Sequence, residues 1–209
     1  MFAEFAEISL TTWAILAGLV ILGVVLYVMT RDRRRWSTRM IANAALCIAL
    51  GFILSYIKLY EMPQGGSVTL ASMLPVFMFA YAYGVGPGMA VGFAYGLLQF
   101  VQGGWFVHPM QFLLDYPLCF AMLGLAGIAR KLPDSCGMIP GILLGTFFRF
   151  LCAFITGIFF WGDGAGDQNV LIYSAVYNGT YLIPEAIICI VFASVPQVRR
   201  LARQLALSK

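Results

Sequence analysis

Long apolar runs, separated by short polar stretches, constrain this chain more than any other feature of its sequence. A helix that spans a bilayer needs about 20 mostly apolar residues. Of the 209 residues, 61% are hydrophobic and only 11% are charged. The sequence therefore predicts an all-α integral membrane protein, and it leaves no room for a separate catalytic or nucleic-acid-binding domain.

The apolar runs predict seven membrane-spanning helices. Their approximate bounds are 9–29, 40–60, 68–83, 88–102, 109–129, 138–160 and 170–194. The first run carries its positive charges after the apolar stretch, at Arg31 to Arg35, whereas a cleavable signal peptide carries them before it. We therefore expect this first helix to be retained.

Basic residues cluster between the predicted helices, and such clusters mark the cytoplasmic side of a membrane protein. They lie at 31–39, at 130–131 and at 199–209. Seven crossings place all three on one side, with the N-terminus outside and the C-terminus in the cytoplasm. Because the basic residues lie between spans and do not form one binding face, the net charge of +4 does not predict a nucleic-acid partner.

The sequence lacks the motifs of metal, nucleotide and redox chemistry. It has five cysteines without CxxC spacing, a single histidine and no HExxH motif. It also lacks the GxxxxGKS/T motif that binds the phosphates of ATP. We expect no metal, no cofactor and no ATP hydrolysis. Glycines recur at intervals of four from Gly84 to Gly96, which favours close helix packing in lipid.

Four ionisable side chains lie inside the predicted spans, where a charge is costly and usually faces a bundle interior or a cavity. They are Lys58, Asp115, Arg149 and Glu185. Lys58 lies near the outer end of its predicted helix, so its side chain can reach the interface without any functional role. Glu185, beside Pro184, is compatible with a structural contact to a neighbouring helix and with a binding role.

Asp115 is the strongest candidate for a binding residue. It follows His108 and Gln111 by seven and four positions, spacings that place the three on one stripe of a helix. Arg149 lies about midway along the next predicted helix, and its pairing with Asp115 would offset the desolvation of both charges. The pattern fits a polar cluster facing an outward pocket, and it also fits a purely structural ion pair.

Aromatic and amide side chains surround these charges at the outer ends of the helices. They are Trp105, Tyr116, Trp161, Asn169, Tyr173, Tyr177 and Asn178. Each ring alone is compatible with a membrane-interface anchor, because Trp and Tyr are enriched there. Together with an acidic group they suit a flat organic cation, since carboxylate and ring face both attract positive charge. An amide such as Asn178 can pair with the edge of a heterocycle.

Four segments, in their order along the chain, resemble the ThiT (YuaJ) family, the thiamine-specific S components of energy-coupling factor (ECF) transporters. They are MPQGGSVTLASMLP at 62–75, QFLLDYP at 111–117, TGIFFWG at 156–162 and YSAVYNG at 173–179. The resemblance implies a six-helix substrate-binding bundle over 38–209, capped by a loop that contains Gln64, Gly65 and Gly66. Residues 1–37 are then an additional N-terminal transmembrane helix and its basic cytoplasmic loop.

The resemblance also implies roles for the candidate site residues. Asp115 matches an acidic residue that faces the thiamine cation and its aminopyrimidine, and Trp161 matches a tryptophan that stacks on the thiazolium. Tyr173 and Asn178 match the pair that hydrogen-bonds the pyrimidine. The other expected substrate-binding residues are Trp105 on the pocket wall, Tyr116, Arg149 and His108.

One position departs from the family's pattern. Eight residues before Trp161 the family has a histidine that stacks on the pyrimidine, and this sequence has Ala153. Either another ring, such as Tyr177 or His108, fills the gap, or the pocket is larger and the ligand differs. A thiamine precursor or another flat vitamin is therefore the alternative ligand.

The resemblance implies a function and partners. The chain is expected to capture thiamine at the outer face of the cell membrane, without being an enzyme. A transmembrane scaffold subunit and two ATPase subunits of an ECF module would drive uptake, and the scaffold would dock on Ala45 and Ala49. Two other classes fit less well. An intramembrane enzyme would need a catalytic partner for Asp115, with only His108 and Glu185 as candidates, and a secondary transporter commonly shows an inverted repeat.

Overall fold

The computed structural model describes residues 36–63, 65–132 and 137–207. Its helices are α1 Thr38–Ser55, α2 Leu74–Tyr83, α3 Val85–Val101, α4 Pro109–Lys131, α5 Ile139–Phe160, α6 Val170–Ser194 and α7 Pro196–Leu207. Strands β1 Lys58–Glu61 and β2 Ser67–Thr69 lie between α1 and α2, and a 3-10 turn, Gly162–Ala165, lies between α5 and α6. The predicted helix at 9–29 falls outside the described residues.

Four of the described helices are long and apolar enough to cross a bilayer. These are α1, α4, α5 and α6, with 18 to 25 residues each. The helices α2 and α3 are also apolar but shorter, with 10 and 17 residues. The predicted helical membrane architecture is confirmed, although a short β-hairpin interrupts it.

Helix α2 forms the centre of the bundle. All ten of its residues are buried, and it packs against α1, α3, α4 and α7. Its sequence, LPVFMFAYAY, is apolar on every side, a pattern typical of a helix that is surrounded by protein. The helix ends at Gly84, whose φ of 99° favours glycine and lets the chain turn directly into α3.

The glycines spaced four apart on α3 bring its backbone against α4. A Cβ added at Gly92 would lie 3.0 Å from the Cα of Ala121, and one added at Gly96 would lie 2.8 Å from the carbonyl carbon of Tyr116. These distances leave no room for a side chain. The packing role predicted for this glycine series is therefore confirmed at both positions.

Helix α4 is irregular. It begins as an α-helix over Pro109–Leu113, widens to a π-helical turn over Leu114–Leu118, and continues as a 3-10 helix over Met122–Lys131. Pro117 lies inside the widened turn and has no backbone N–H to donate to an ordinary α-helical hydrogen bond. Such π-helical turns occur frequently at functional sites, and this one carries Asp115.

The predicted helix over 40–60 is wrong at its outer end, because α1 stops at Ser55. The chain then forms a hairpin in which β1 and β2 run antiparallel, with Tyr60 opposite Val68. Lys58 therefore lies on a strand and not inside a helix. Its Nζ forms an ion pair with Glu61 at 2.6 Å, and both side chains are partly exposed.

Candidate ligand-binding site

A cavity of about 370 Å³ opens between the hairpin and the helices, and its walls include residues of α3, α4, α5 and α6. Its size is within the range of small-molecule sites, roughly 300 to 1,000 Å³. Seven of the eight predicted substrate-binding residues line it. They are Trp105, Asp115, Tyr116, Arg149, Trp161, Tyr173 and Asn178.

Asp115 is held in place by two N–H donors. Gln111 Nε2 donates to its Oδ2 at 2.7 Å, and Trp161 Nε1 donates to the same oxygen at 3.4 Å. Gln111 is fully buried and also donates to the carbonyl oxygen of Trp105, while its own Oε1 accepts from the backbone of Val107. The predicted stripe that joins Gln111 to Asp115 is therefore confirmed, and Gln111 ties the loop before α4 to the carboxylate.

Aromatic rings form the wall beside this carboxylate. The indole rings of Trp105 and Trp161 meet edge to face, with centroids 6.3 Å apart and an angle of 85° between their planes. The hydroxyl of Tyr116 accepts a hydrogen bond from the backbone N–H of Trp105 at 2.7 Å. A negatively charged oxygen and several ring faces thus share one side of the cavity.

Asn178 is buried at the interface between α5 and α6. Its Nδ2 donates to the carbonyl oxygens of Ser174 at 2.9 Å and Ala153 at 3.2 Å, and its Oδ1 accepts from Tyr181 Oη at 2.9 Å. Gly157 permits this close approach, because a Cβ there would lie 3.2 Å from Nδ2. Both N–H groups of the amide are therefore directed to protein, and Oδ1 keeps one further lone pair for a donor.

Arg149 lines the cavity but does not pair with Asp115, so the predicted pairing is wrong. Its guanidinium lies 4.0 Å from the centre of the Phe120 ring, and its Nη1 donates to the sulfur of Met73. Among the described residues Arg149 forms no ion pair, and its buried Nε has no hydrogen-bond partner. The charge is stabilised in part by the ring face, a cation–π contact.

His108 does not line the cavity, which corrects its predicted place in the site. It caps the start of α4, where its Nδ1 accepts from the backbone N–H of Met110 at 3.1 Å. Its ring stacks on Phe160, with centroids 5.4 Å apart. Ala153, in contrast, does line the cavity, as does Tyr177. Of the two rings considered for the missing histidine, only Tyr177 is therefore at hand.

Several cavity residues were not predicted. Gln102 accepts hydrogen bonds from Ser55 Oγ at 2.7 Å and from Gln99 Nε2 at 3.3 Å. Tyr181 also lines the cavity, and so does Glu185, for which the sequence had left a structural contact and a binding role both open. Within the described residues, no group of three or more His, Cys, Asp or Glu side chains is placed to hold a metal ion.

Comparison with known proteins identifies close relatives. The family model of the thiamine transporter protein Thia_YuaJ matches residues 41–204. The chain is 36% identical over 161 residues to the thiamine transporter ThiT of Bacillus subtilis, covering 71% of this chain and 80% of that one. It is 29% identical over 175 residues to ThiT of Lacticaseibacillus paracasei, covering 74% and 85% of the two chains.

The fold has a solved counterpart as well. ThiT from Listeria monocytogenes matches with a TM-score of 0.69 at 21% identity, covering 80% of this chain and 96% of that chain. The relatives are named transporters, so the prediction of a multi-pass membrane protein that is not an enzyme is confirmed. The match over 41–204 and the identity to the Bacillus protein together show that this chain belongs to the Thia_YuaJ family of thiamine transporter proteins.

Proposed function

We propose that this chain captures thiamine at the outer face of the cell membrane, as the S subunit of an ECF-type importer. The observation that carries the proposal is a single cavity wall on which the carboxylate of Asp115 and the indole of Trp161 meet through a hydrogen bond. Thiamine is an organic cation with two flat rings, and a carboxylate beside ring faces attracts its thiazolium through charge and through the ring quadrupole.

Each end of thiamine has matching groups in the cavity. Trp161 stacks on the thiazolium while Asp115 supplies the opposite charge. The free lone pair of Asn178 Oδ1 accepts from the amino group of the pyrimidine, and Tyr173 hydrogen-bonds the same ring. Trp105 and Tyr116 close the wall, and Arg149, without an ionic partner among the described residues, offers donors to an oxygen of the ligand.

A second ligand is supported by one position. Ala153 is 6% exposed and lines the cavity with a methyl group, where the family's pattern has a histidine ring. A thiamine precursor or a different flat vitamin would then be the ligand. The fold and the mode of transport would be unchanged.

The partner assignments form part of the proposal. Ala45 and Ala49 are exposed on α1, which buries little of its surface in the bundle, and small exposed residues four apart allow another helix to approach closely. We assign this face to the ECF scaffold subunit, which carries the two ATPases. We also propose that the C-terminus lies in the cytoplasm and that 38–209 form the binding domain. The additional helix expected within 1–37 and the outside position of the N-terminus come from the sequence pattern alone, because residues 1–35 lie outside the described part of the chain.

Tryptophan fluorescence of the detergent-purified chain tests the ligand. Thiamine, its aminopyrimidine precursor and its phosphates are titrated separately, and saturable quenching by thiamine at one site per chain is expected. Trp161→Phe should remove most of the quenching. The matched control is Trp36→Phe, because Trp36 packs on Phe79 away from the cavity wall. Response to another compound and none to thiamine would identify the alternative ligand instead.

A further inference from the structure

Three side chains on one face of α6 contact the hairpin at successive turns of the helix. They are Tyr177, Tyr181 and Glu185, each four positions after the last, so they lie one above another along the helix. All three also line the cavity. The residues that they contact lie between Gly65 and Ser72, a stretch that includes β2 and is called here the hairpin segment.

The two tyrosines hold the tip of the hairpin segment. Tyr177 Oη donates to the carbonyl oxygen of Gly65 at 2.8 Å. The Tyr181 ring lies so close to Gly66 that an added Cβ would be 2.8 Å from it, and Gly66 has a φ of 83°, which favours glycine. The hydroxyl of Tyr181 donates to Oδ1 of Asn178. The tip is therefore joined to a proposed ligand-binding amide through one side chain.

Glu185 holds the base of the hairpin segment. Its carboxylate is 2% exposed and accepts from the backbone N–H of Thr69, from Thr69 Oγ1 at 2.6 Å and from Ser72 Oγ at 3.3 Å. Ala71, between these donors, has a φ of 58°, which costs energy for any residue other than glycine. The hydrogen bonds to Glu185 thus maintain a turn that the local sequence does not favour.

A purely structural helix contact would not need this acid. Glu185 forms no ion pair with a described residue, and a buried charge inside a membrane span is expensive and usually functional. It also follows Pro184, which has no N–H to donate within α6. The base of the hairpin segment is therefore bound to α6 next to a residue that interrupts the backbone hydrogen bonding of the helix.

We propose that Glu185 is a positioning residue for ligand capture, which keeps the hairpin segment closed over the occupied cavity, with Tyr177 and Tyr181 fixing its tip. The proposal rests on the proposed function. Glu185 acts through Thr69 and Ser72 and determines how long the ligand stays bound. Opening the cavity requires these hydrogen bonds to α6 to break.

Two measurements on the full chain in detergent test this role. Stopped-flow tryptophan fluorescence with thiamine gives the association and dissociation rates, and hydrogen–deuterium exchange without ligand reports on the Thr69 amide. Glu185→Leu removes the acceptors at similar volume, and Glu185→Gln keeps one acceptor oxygen. Thr180→Ala is the matched control, since Thr180 is exposed on the same helix and bonds only within it.

For Glu185→Leu we expect dissociation at least tenfold faster, association not slower, and faster exchange around Thr69 with α2 unchanged. Glu185→Gln should lie between this variant and the wild type, and Thr180→Ala should match the wild type. Unchanged exchange at Thr69, or dissociation within twofold of the wild type, would overturn the proposal.

A second variant covers the case in which Glu185→Leu loosens the whole bundle. Tyr177→Phe removes only the hydroxyl at the tip, and about three- to tenfold faster dissociation is expected from one lost hydrogen bond. Dissociation at the wild-type rate would then overturn the closing role. If the wild-type protein does not bind thiamine, the proposed function is wrong. Hydrogen–deuterium exchange at Thr69 then still shows whether Glu185 holds the hairpin segment.

Discussion

Replacing Asp115 by Asn isolates the contribution of charge to ligand binding. Asn has nearly the same shape and keeps an oxygen that can accept from Gln111 Nε2, the shorter of the two hydrogen bonds to Asp115. The edge-to-face contact between the rings of Trp105 and Trp161 is made by those two rings alone, so the substitution does not remove it. The variant should therefore retain the cavity and lose its negative charge.

The size of the effect follows from Coulomb's law. For a carboxylate and a thiazolium about 5 Å apart, with an effective dielectric constant of about 20, the attraction is about 3.3 kcal/mol. That energy corresponds to a change in Kd on the order of 10²-fold. A neutral ligand of the same shape has no such attraction to the carboxylate, so its Kd should change little when Asp115 becomes Asn.

The assay is a cycle of two proteins and two ligands, measured by tryptophan fluorescence or calorimetry. The ligands are thiamine and an analogue with an uncharged ring in place of the thiazolium. We expect Asp115→Asn to weaken thiamine on the order of 10²-fold and the analogue by less than about threefold. Asp167→Asn, an exposed acid in the loop before α6, is the control and should change neither. Equal losses for both ligands would refute the assignment of Asp115 to the cation.

Three further predictions address packing, specificity and partner binding. Gly92→Leu should lower the free energy of unfolding by about 1 to 3 kcal/mol, because the new side chain overpacks against α4. Ala90→Leu, on the exposed side of the same helix, should leave the free energy of unfolding unchanged. Thermal unfolding of both variants in detergent measures the difference. Ala153→His should tighten thiamine binding roughly two- to tenfold by adding a stacking ring, and a looser complex in calorimetry would contradict this. Ala49→Trp should abolish co-purification of the scaffold subunit but leave thiamine affinity within about twofold of the wild type. Leu50→Trp is the control, because Leu50 is also exposed on α1. Retained co-purification of Ala49→Trp with the scaffold subunit would contradict the proposed docking face.

The sequence predicted those parts of the fold that depend on local pattern. The long apolar runs form helices in the structure, and the glycine series lies at the contact between α3 and α4. The carboxylate of Asp115 was predicted to share a stripe with Gln111, because i and i+4 positions lie on one side of a helix, and the two side chains do bond. Seven of the eight candidate residues line one cavity, which agrees with the roles that the family resemblance implied.

Other parts depended on contacts that a local pattern does not contain. His108 fits the same stripe as Asp115 by spacing, but α4 begins directly after it, so the side chain caps the helix instead of facing the cavity. Arg149 fits the depth of Asp115 but turns to the ring of Phe120 and the sulfur of Met73. Spacing along one helix gives a direction, whereas the partner of a long side chain depends on neighbouring helices.

The hairpin and the bonding partner of Glu185 were both missed, and for one physical reason. Residues 58–60 were assigned to the end of the predicted helix 40–60 and residue 69 to the start of the predicted helix 68–83, so their backbone donors were expected to be satisfied within those helices. The structure turns these residues into strands, and the N–H of Thr69 then needs an acceptor, which Glu185 supplies from 116 positions away. The acid in α6 is thus the acceptor for a backbone donor of β2, and the need for that acid becomes evident only when the strand is known.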